Sequence, residues 1–195
     1  LLYAVASSGY RAGGFNPENP NAGTPPTSFG SDTLWNYELG AKTAWFDNRL
    51  VANATLFHVD WSDIQLSRQL FGSAGSATII GNVGEAEIDG IEAEIDYRIS
   101  EYLTLGLSFS YLDGEITAVP DTVSASVATV GDRLPGSAEE THTLYVDYVR
   151  SILDDLDLNV RLTQRYVGDR VTALGLGDTS QASGLIHSYD TTDLR

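Results

Sequence analysis

Long runs in which apolar and polar residues take turns constrain this chain more than any other feature. From Ile91 to Ser100, the residues Ile91, Ala93, Ile95, Tyr97 and Ile99 alternate with Glu92, Glu94, Asp96, Arg98 and Ser100. Leu103, Leu105, Leu107, Phe109 and Tyr111 alternate with Thr104, Gly106, Ser108 and Ser110. Leu156, Leu158, Val160 and Leu162 alternate with Asp157, Asn159, Arg161 and Thr163. A period of two belongs to a β-strand with one apolar and one polar face, and no helix can satisfy it. Five weaker strands are predicted at about 1–11, 34–46, 50–66, 140–150 and from 187, making roughly eight. The segment 79–90 reads as an extension of the strand through Ile91, with Gly81, Gly84 and Gly90 as bulges or bends.

The predicted connections alternate in length. Short ones fall at 47–49, 100–102 and 151–155; long ones fall at about 12–33, 67–78, 113–139 and 171–186. All six prolines (Pro17, Pro20, Pro25, Pro26, Pro120 and Pro135) sit in the long ones, as their missing N–H requires. This is an antiparallel up-and-down meander with tight turns at one end and long loops at the other. A three-residue turn at 47–49 would set Trp45 opposite Val51, Leu39 opposite Phe57 and Trp35 opposite Trp61. Around 100–102, Ile99 would face Leu103.

A one-sided meander is either a soluble sandwich with its apolar face inward or a membrane barrel with that face toward lipid. Strand length favours the barrel, since ten or more residues suit a tilted transmembrane strand. Aromatic placement agrees: Trp35 and Tyr37 lie at one end of a strand and Trp45 at the other, with Trp61 assigned to the same girdle. Ten residues at ~3.3 Å each, tilted, rise roughly 24 Å, close to the height of the apolar band of such barrels. Mean hydropathy is −0.11, and no run approaches the ~20 apolar residues of a spanning helix. The formal charge of −16, from 11 Lys+Arg and 27 Asp+Glu, opposes nucleic-acid binding. With no cysteine, disulfides and thiolate chemistry are excluded. The chain opens on Leu1 with no leader visible and reads as an internal fragment.

Several blocks resemble one family. Gly9-Tyr10-Arg11-Ala12-Gly13-Gly14-Phe15-Asn16 ends a strand and opens a long loop. Tyr37-Glu38-Leu39-Gly40-Ala41-Lys42, with Trp45-Phe46-Asp47-Asn48-Arg49-Leu50, forms a hairpin that continues through Asn53 to Gln65. Asn82-Val83-Gly84-Glu85-Ala86, Gly90-Ile91-Glu92, Leu103 to Asp113 and Arg133-Leu134-Pro135 follow in order. Together they resemble TonB-dependent outer-membrane receptors of the siderophore-receptor kind, although that family's second loop proline is missing after Pro135. The resemblance implies a 22-stranded barrel closed around an N-terminal plug. Residues 1–195 would be part of that barrel domain, lacking the plug, the TonB box and the terminal strands.

The same resemblance implies the location and the work: multi-pass in the outer membrane of a Gram-negative bacterium, taking up a scarce nutrient, foremost a ferric siderophore. TonB and the inner-membrane energising complex would pull on the plug. An oligosaccharide, a vitamin or another metal complex is the alternative cargo, and a soluble β-sandwich binding module the alternative class. Ligand-side candidates in the loops are Arg11, Phe15 and Asn16. The competing reading is that Gly13-Gly14-Phe15-Asn16 only shapes the exit from the strand. No cofactor or metal site is expected: His58, His142 and His187 have no ligand spacing, and the acidic turn at Asp154, Asp155 and Asp157 lacks a calcium-loop pattern. No enzyme is expected either. Ser62 and His58 share a strand face but stand about 13 Å apart along it. The acids Glu92, Glu94, Asp96 and Asp157 read as a polar lining balanced by Arg98, Arg161 and Arg165.

Overall fold

The computed structural model describes residues 1–17, 28–72, 75–123, 127–153, 156–172, 174 and 184–195. Pro20, Pro25, Pro26, Asp154 and Asp155 lie outside the described residues. The strands run in the order β1 (Leu2–Arg11), β2 (Gly14–Phe15), β3 (Ser28–Phe29), β4 (Asp32–Trp45), β5 (Leu50–Ser62), β6 (Gln65–Gly72), β7 (Gly75–Asn82), β8 (Glu85–Arg98), β9 (Leu103–Ala118), β10 (Glu140–Leu153), β11 (Leu156–Val167), β12 (Arg170–Val171), β13 (Leu185–Ile186) and β14 (Tyr189–Leu194). Eight of them form one antiparallel sheet in the order β1-β4-β5-β8-β9-β10-β11-β14, and β2-β3, β6-β7 and β12-β13 are small hairpins among the long connections. The meander is therefore as expected. The sheet is open, with β1 and β14 at its two edges.

Register carries the two faces across the whole sheet. One row runs Trp45, Leu50, Tyr97, Leu105, Val146, Leu162 and Leu194, each directly opposite the next. A row on the other face runs Lys42, Asn53, Glu94, Ser108, Thr143, Arg165 and Thr191. Slipping β8 by one residue would put Asp96 or Arg98 into the first row and Ala93 or Ile95 into the second, so the alternation there fixes the pairing.

Two expectations are corrected. Trp45 pairs with Leu50, Leu39 with Leu56 and Trp35 with Asp60, one residue out of the predicted register. The turn holds four residues, because Phe46, Asp47 and Asn48 all take left-handed backbone (φ 56°, 56° and 63°), closed by Arg49 N–H to Phe46 O at 3.1 Å. Asp and Asn tolerate that conformation, and the extra residue flips the parity of β5. Phe57 and Trp61 consequently lie on the polar face, not with Leu39 and Trp45. The second correction concerns 67–78, which is not a loop: β6 and β7 pair from Gln65↔Asn82 to Gly72↔Gly75, and 79–82 belongs to that hairpin instead of to β8. The 100–102 turn agrees with expectation, Ile99 N–H reaching Leu103 O at 2.9 Å.

On the polar face, three aromatic rings lie across the sheet on directly opposed glycines: Tyr3 on Gly40, Phe57 on Gly90 and Tyr145 on Gly106. A Cβ at any of these glycines would collide with the ring. The flattened tyrosines then reach the strand beyond. The Tyr3 hydroxyl bonds Thr55 Oγ1 at 2.8 Å, and the Tyr145 hydroxyl donates to Asp96. An aromatic covering a strand glycine fills the gap left by the missing side chain and pins the register.

Among the described residues, no second layer covers the apolar face. Leu39 is 61% exposed and Trp45 is 56% exposed, and Leu56, Leu105, Leu144 and Leu158 are exposed beside them. The buried cluster lies elsewhere, at the long-loop end, where Ile64, Val83, Ala86, Ile116 and Ala128 pack together. This is not the inward-facing core of a sandwich.

Candidate functional site

The long-loop end of the polar face holds a buried and densely hydrogen-bonded carboxylate, Asp32, which is 1% exposed. It begins β4, and four donors converge on it. Arg11, the last residue of β1, donates from its guanidinium to both carboxylate oxygens (Nε to Oδ2 at 2.9 Å) and from its backbone N–H to Oδ1 at 3.2 Å. Trp61 Nε1–H donates to Oδ2 at 3.1 Å, and so does the backbone N–H of Gln65, at 3.1 Å. Arg11 also donates to Gln65 O at 2.9 Å and lies 5.1 Å from the Trp61 ring centroid. The Gln65 side chain donates in return to Gly30 O at 2.8 Å and Ala12 O at 3.2 Å. A buried carboxylate is stable only when its lone pairs are met, and here they tie together β1, β4, β5 and β6 where these strands leave the sheet.

Beside this clamp lies a cavity of about 230 Å³ walled by Phe57, Trp61, Ile88, Leu112, Leu134 and Pro135. The connection after β9 folds back to roof it: Leu134 N–H bonds Gly114 O at 2.8 Å, and Glu115 bridges Arg133. Arg133 is held by Glu139 at 2.8 Å and by Asp169 O at 3.0 Å. The rim is thus built from packed and hydrogen-bonded chain.

The amino-acid sequence matches the family model for the β-barrel of TonB dependent receptor-like proteins, and the match runs over residues 1–195. The chain belongs to this family. Its relatives and solved neighbours are receptors and transporters, not enzymes. The chain is 25% identical over 154 residues, 75% of its length, to the "Probable TonB-dependent siderophore receptor PiuA" of Acinetobacter baumannii. It spans about a fifth (20%) of that relative. Its fold is similar to the ferric yersiniabactin uptake receptor FyuA of Yersinia pestis (21% identity, TM-score 0.72, 99% of this chain and 26% of that one). It is also similar to the copper transporter OprC (17% identity, TM-score 0.67, 99% and 28%).

Within this TonB-dependent receptor wall, the expected site residues fall into different settings. Arg11 is committed to Asp32, with half of its side chain (51%) still exposed. Asn16 is bonded to β7, donating to Ile80 O and accepting from Ile80 N–H, both at 2.8 Å. Phe15 is 85% exposed at the loop exit. Trp35, Tyr37 and Trp45 share the apolar face, and Trp35 stacks on Tyr37 at 6.2 Å. Trp61, expected beside them, points the other way, into the Asp32 clamp. His58 and His142 stand on the apolar face: His58 between Asp89 (2.8 Å) and Asp60 (3.1 Å), His142 stacked on Tyr166. Sequence reasoning missed Asp32 and Gln65. An acid in Ser31-Asp32-Thr33 has the look of a turn. Gln65 closes the quoted hairpin block, which was the available signal.

Proposed function

We propose that this chain is wall of an outer-membrane receptor of a Gram-negative bacterium, one that takes up a ferric siderophore with energy delivered through TonB and the inner-membrane complex. One observation carries the membrane part. A single-layered sheet exposes a continuous apolar face, from Leu39 and Trp45 through Ile95 and Leu105 to Leu158 and Leu162. A water-soluble protein keeps apolar patches to a few hundred Å² or covers them, whereas a bilayer is the natural solvent for this one. Trp35 and Tyr37 toward the loops and Trp45 toward the tight turns then serve as interfacial anchors, and Trp61 does not. Short turns face the periplasm and long loops face outside. Phe15 and the Trp61 cavity lie on the ligand side, and Arg11 acts first as a clamp on the strand exits. The siderophore reading rests on the names of the family, of PiuA and of FyuA.

The copper transporter among the solved neighbours favours a second cargo, a different metal complex. The test is uptake of radiolabelled iron by iron-starved cells with and without the intact receptor gene. Loss of iron uptake from an added siderophore, restored by the gene, supports the first reading. Unchanged iron uptake with lost copper accumulation supports the second.

A further inference from the structure

The apolar face of the eight-stranded sheet carries, among the described residues, one arginine and no lysine. That residue is Arg150, opposite Leu158 on β11 and two residues beyond Tyr148, which pairs with Leu103 and Val160. The other cations of the sheet strands point the opposite way: Arg11, Lys42, Arg98, Arg161 and Arg165 all share the face of Glu94. The acids of the apolar face among the described residues, Asp60, Glu87, Asp89, Asp113, Glu115, Glu140 and Asp190, gather at its long-loop end. Arg150 sits at the opposite end, beside the tight turn that contains Tyr102.

Its guanidinium lies 5.5 Å from the Tyr102 ring centroid, and Tyr148 stands two residues before it on the same face. The Tyr102 carbonyl accepts from Val149 N–H at 2.9 Å, which holds the turn beside the arginine's strand. Among the described residues, no carboxylate makes an ion pair with Arg150. A charge among leucines and valines is disfavoured unless it reaches the interface, where a lipid phosphate can pair with it. A guanidinium keeps N–H donors free for a phosphate while its plane rests on an aromatic ring.

We infer that Arg150, Tyr102 and Tyr148 form a binding site for the phosphodiester of a glycerophospholipid in the periplasmic leaflet. The site rests on the membrane reading above. It concerns a lipid partner instead of the transported cargo. On the apolar face the cation lies at the turn end and the acids lie at the loop end, while Asp157 belongs to the opposite face, so this face offers a phosphate its one cation at the turns.

The test is native mass spectrometry of the receptor purified from outer membranes. It is offered equal amounts of phosphatidylglycerol and a phosphate-free digalactosyl lipid. Wild-type receptor is expected to retain one more phosphatidylglycerol than Arg150→Gln, whose retention falls about fivefold, the value of one near-surface cation. Arg150→Lys should recover part of that retention, and millimolar inorganic phosphate should leave it unchanged. Equal retention by wild type and Arg150→Gln overturns the site, as does equal retention of the phosphate-free lipid. Heat-modifiable migration of each variant on gels separates the two claims. A folded receptor without Arg150-dependent lipid sinks this inference alone, and a wild-type protein that never shows heat-modifiable migration sinks the membrane reading with it.

Discussion

The two faces of the same sheet are held in different ways. The Trp45-to-Leu194 row carries no charge and has little shape to match, and on the proposed membrane reading its stability would come from the apolar medium around it. The opposite face is specific. Rings lie on Gly40, Gly90 and Gly106, Asp96 takes the Tyr145 hydroxyl, Ser151 bonds Asp157 at 2.6 Å, and Asp32 gathers four donors. The comparison teaches which errors each face tolerates. The apolar face should forgive changes of shape and punish charge, and the polar face should do the reverse.

The largest effect is expected at the Asp32 clamp. Asp32→Ala leaves the Trp61 and Gln65 N–H groups and the Arg11 guanidinium without their acceptor. The cost should be about 3–5 kcal/mol in urea unfolding of the receptor in lipid vesicles. Asp32→Asn should recover part of it. Next comes the apolar face, where Ile95→Arg near mid-strand should cost about 2–4 kcal/mol in the same titration and Ile95→Leu less than about 1.5 kcal/mol. Third, Gly106→Ala forces a methyl into the Tyr145 ring. It should cost about 1–3 kcal/mol, and Tyr145→Ala in the same chain should relieve part of that, which a double-mutant cycle measures. The smallest effect is Glu94→Gln in the polar row, expected within about 0.5 kcal/mol. If Glu94→Gln costs as much as Ile95→Arg, the contrast between the faces is wrong.

The same contrast decides what the sequence could reveal. The apolar face is legible because a one-sided apolar face asks only for hydrophobicity at every second residue, and β8, β9 and β11 supply it plainly. The polar face is not, because its order depends on pairs brought together across strands. Phe57 and Trp61 looked like more of the apolar stripe until a four-residue turn, set by three left-handed residues, moved them to the other side. Asp32 is far in sequence from Trp61 and Gln65, and only the crossing of β1, β4 and β5 brings them together. The β6-β7 hairpin was read as loop because its glycines and serines mask the alternation.

The most direct test of the two-faced sheet is spin-label accessibility. Residues 1–195 contain no cysteine, so, with any cysteine elsewhere in the receptor replaced by serine, single nitroxide-labelled cysteines can be placed along Glu92 to Tyr97 and along Ala52 to Phe57 in the receptor reconstituted in vesicles. Collisions with oxygen dissolved in lipid should peak at 93, 95 and 97 on β8 and at 52, 54 and 56 on β5, and drop at 92, 94 and 96 and at 53, 55 and 57. Lipid contact at 53, 55 and 57, or no alternation on β8, would contradict the account.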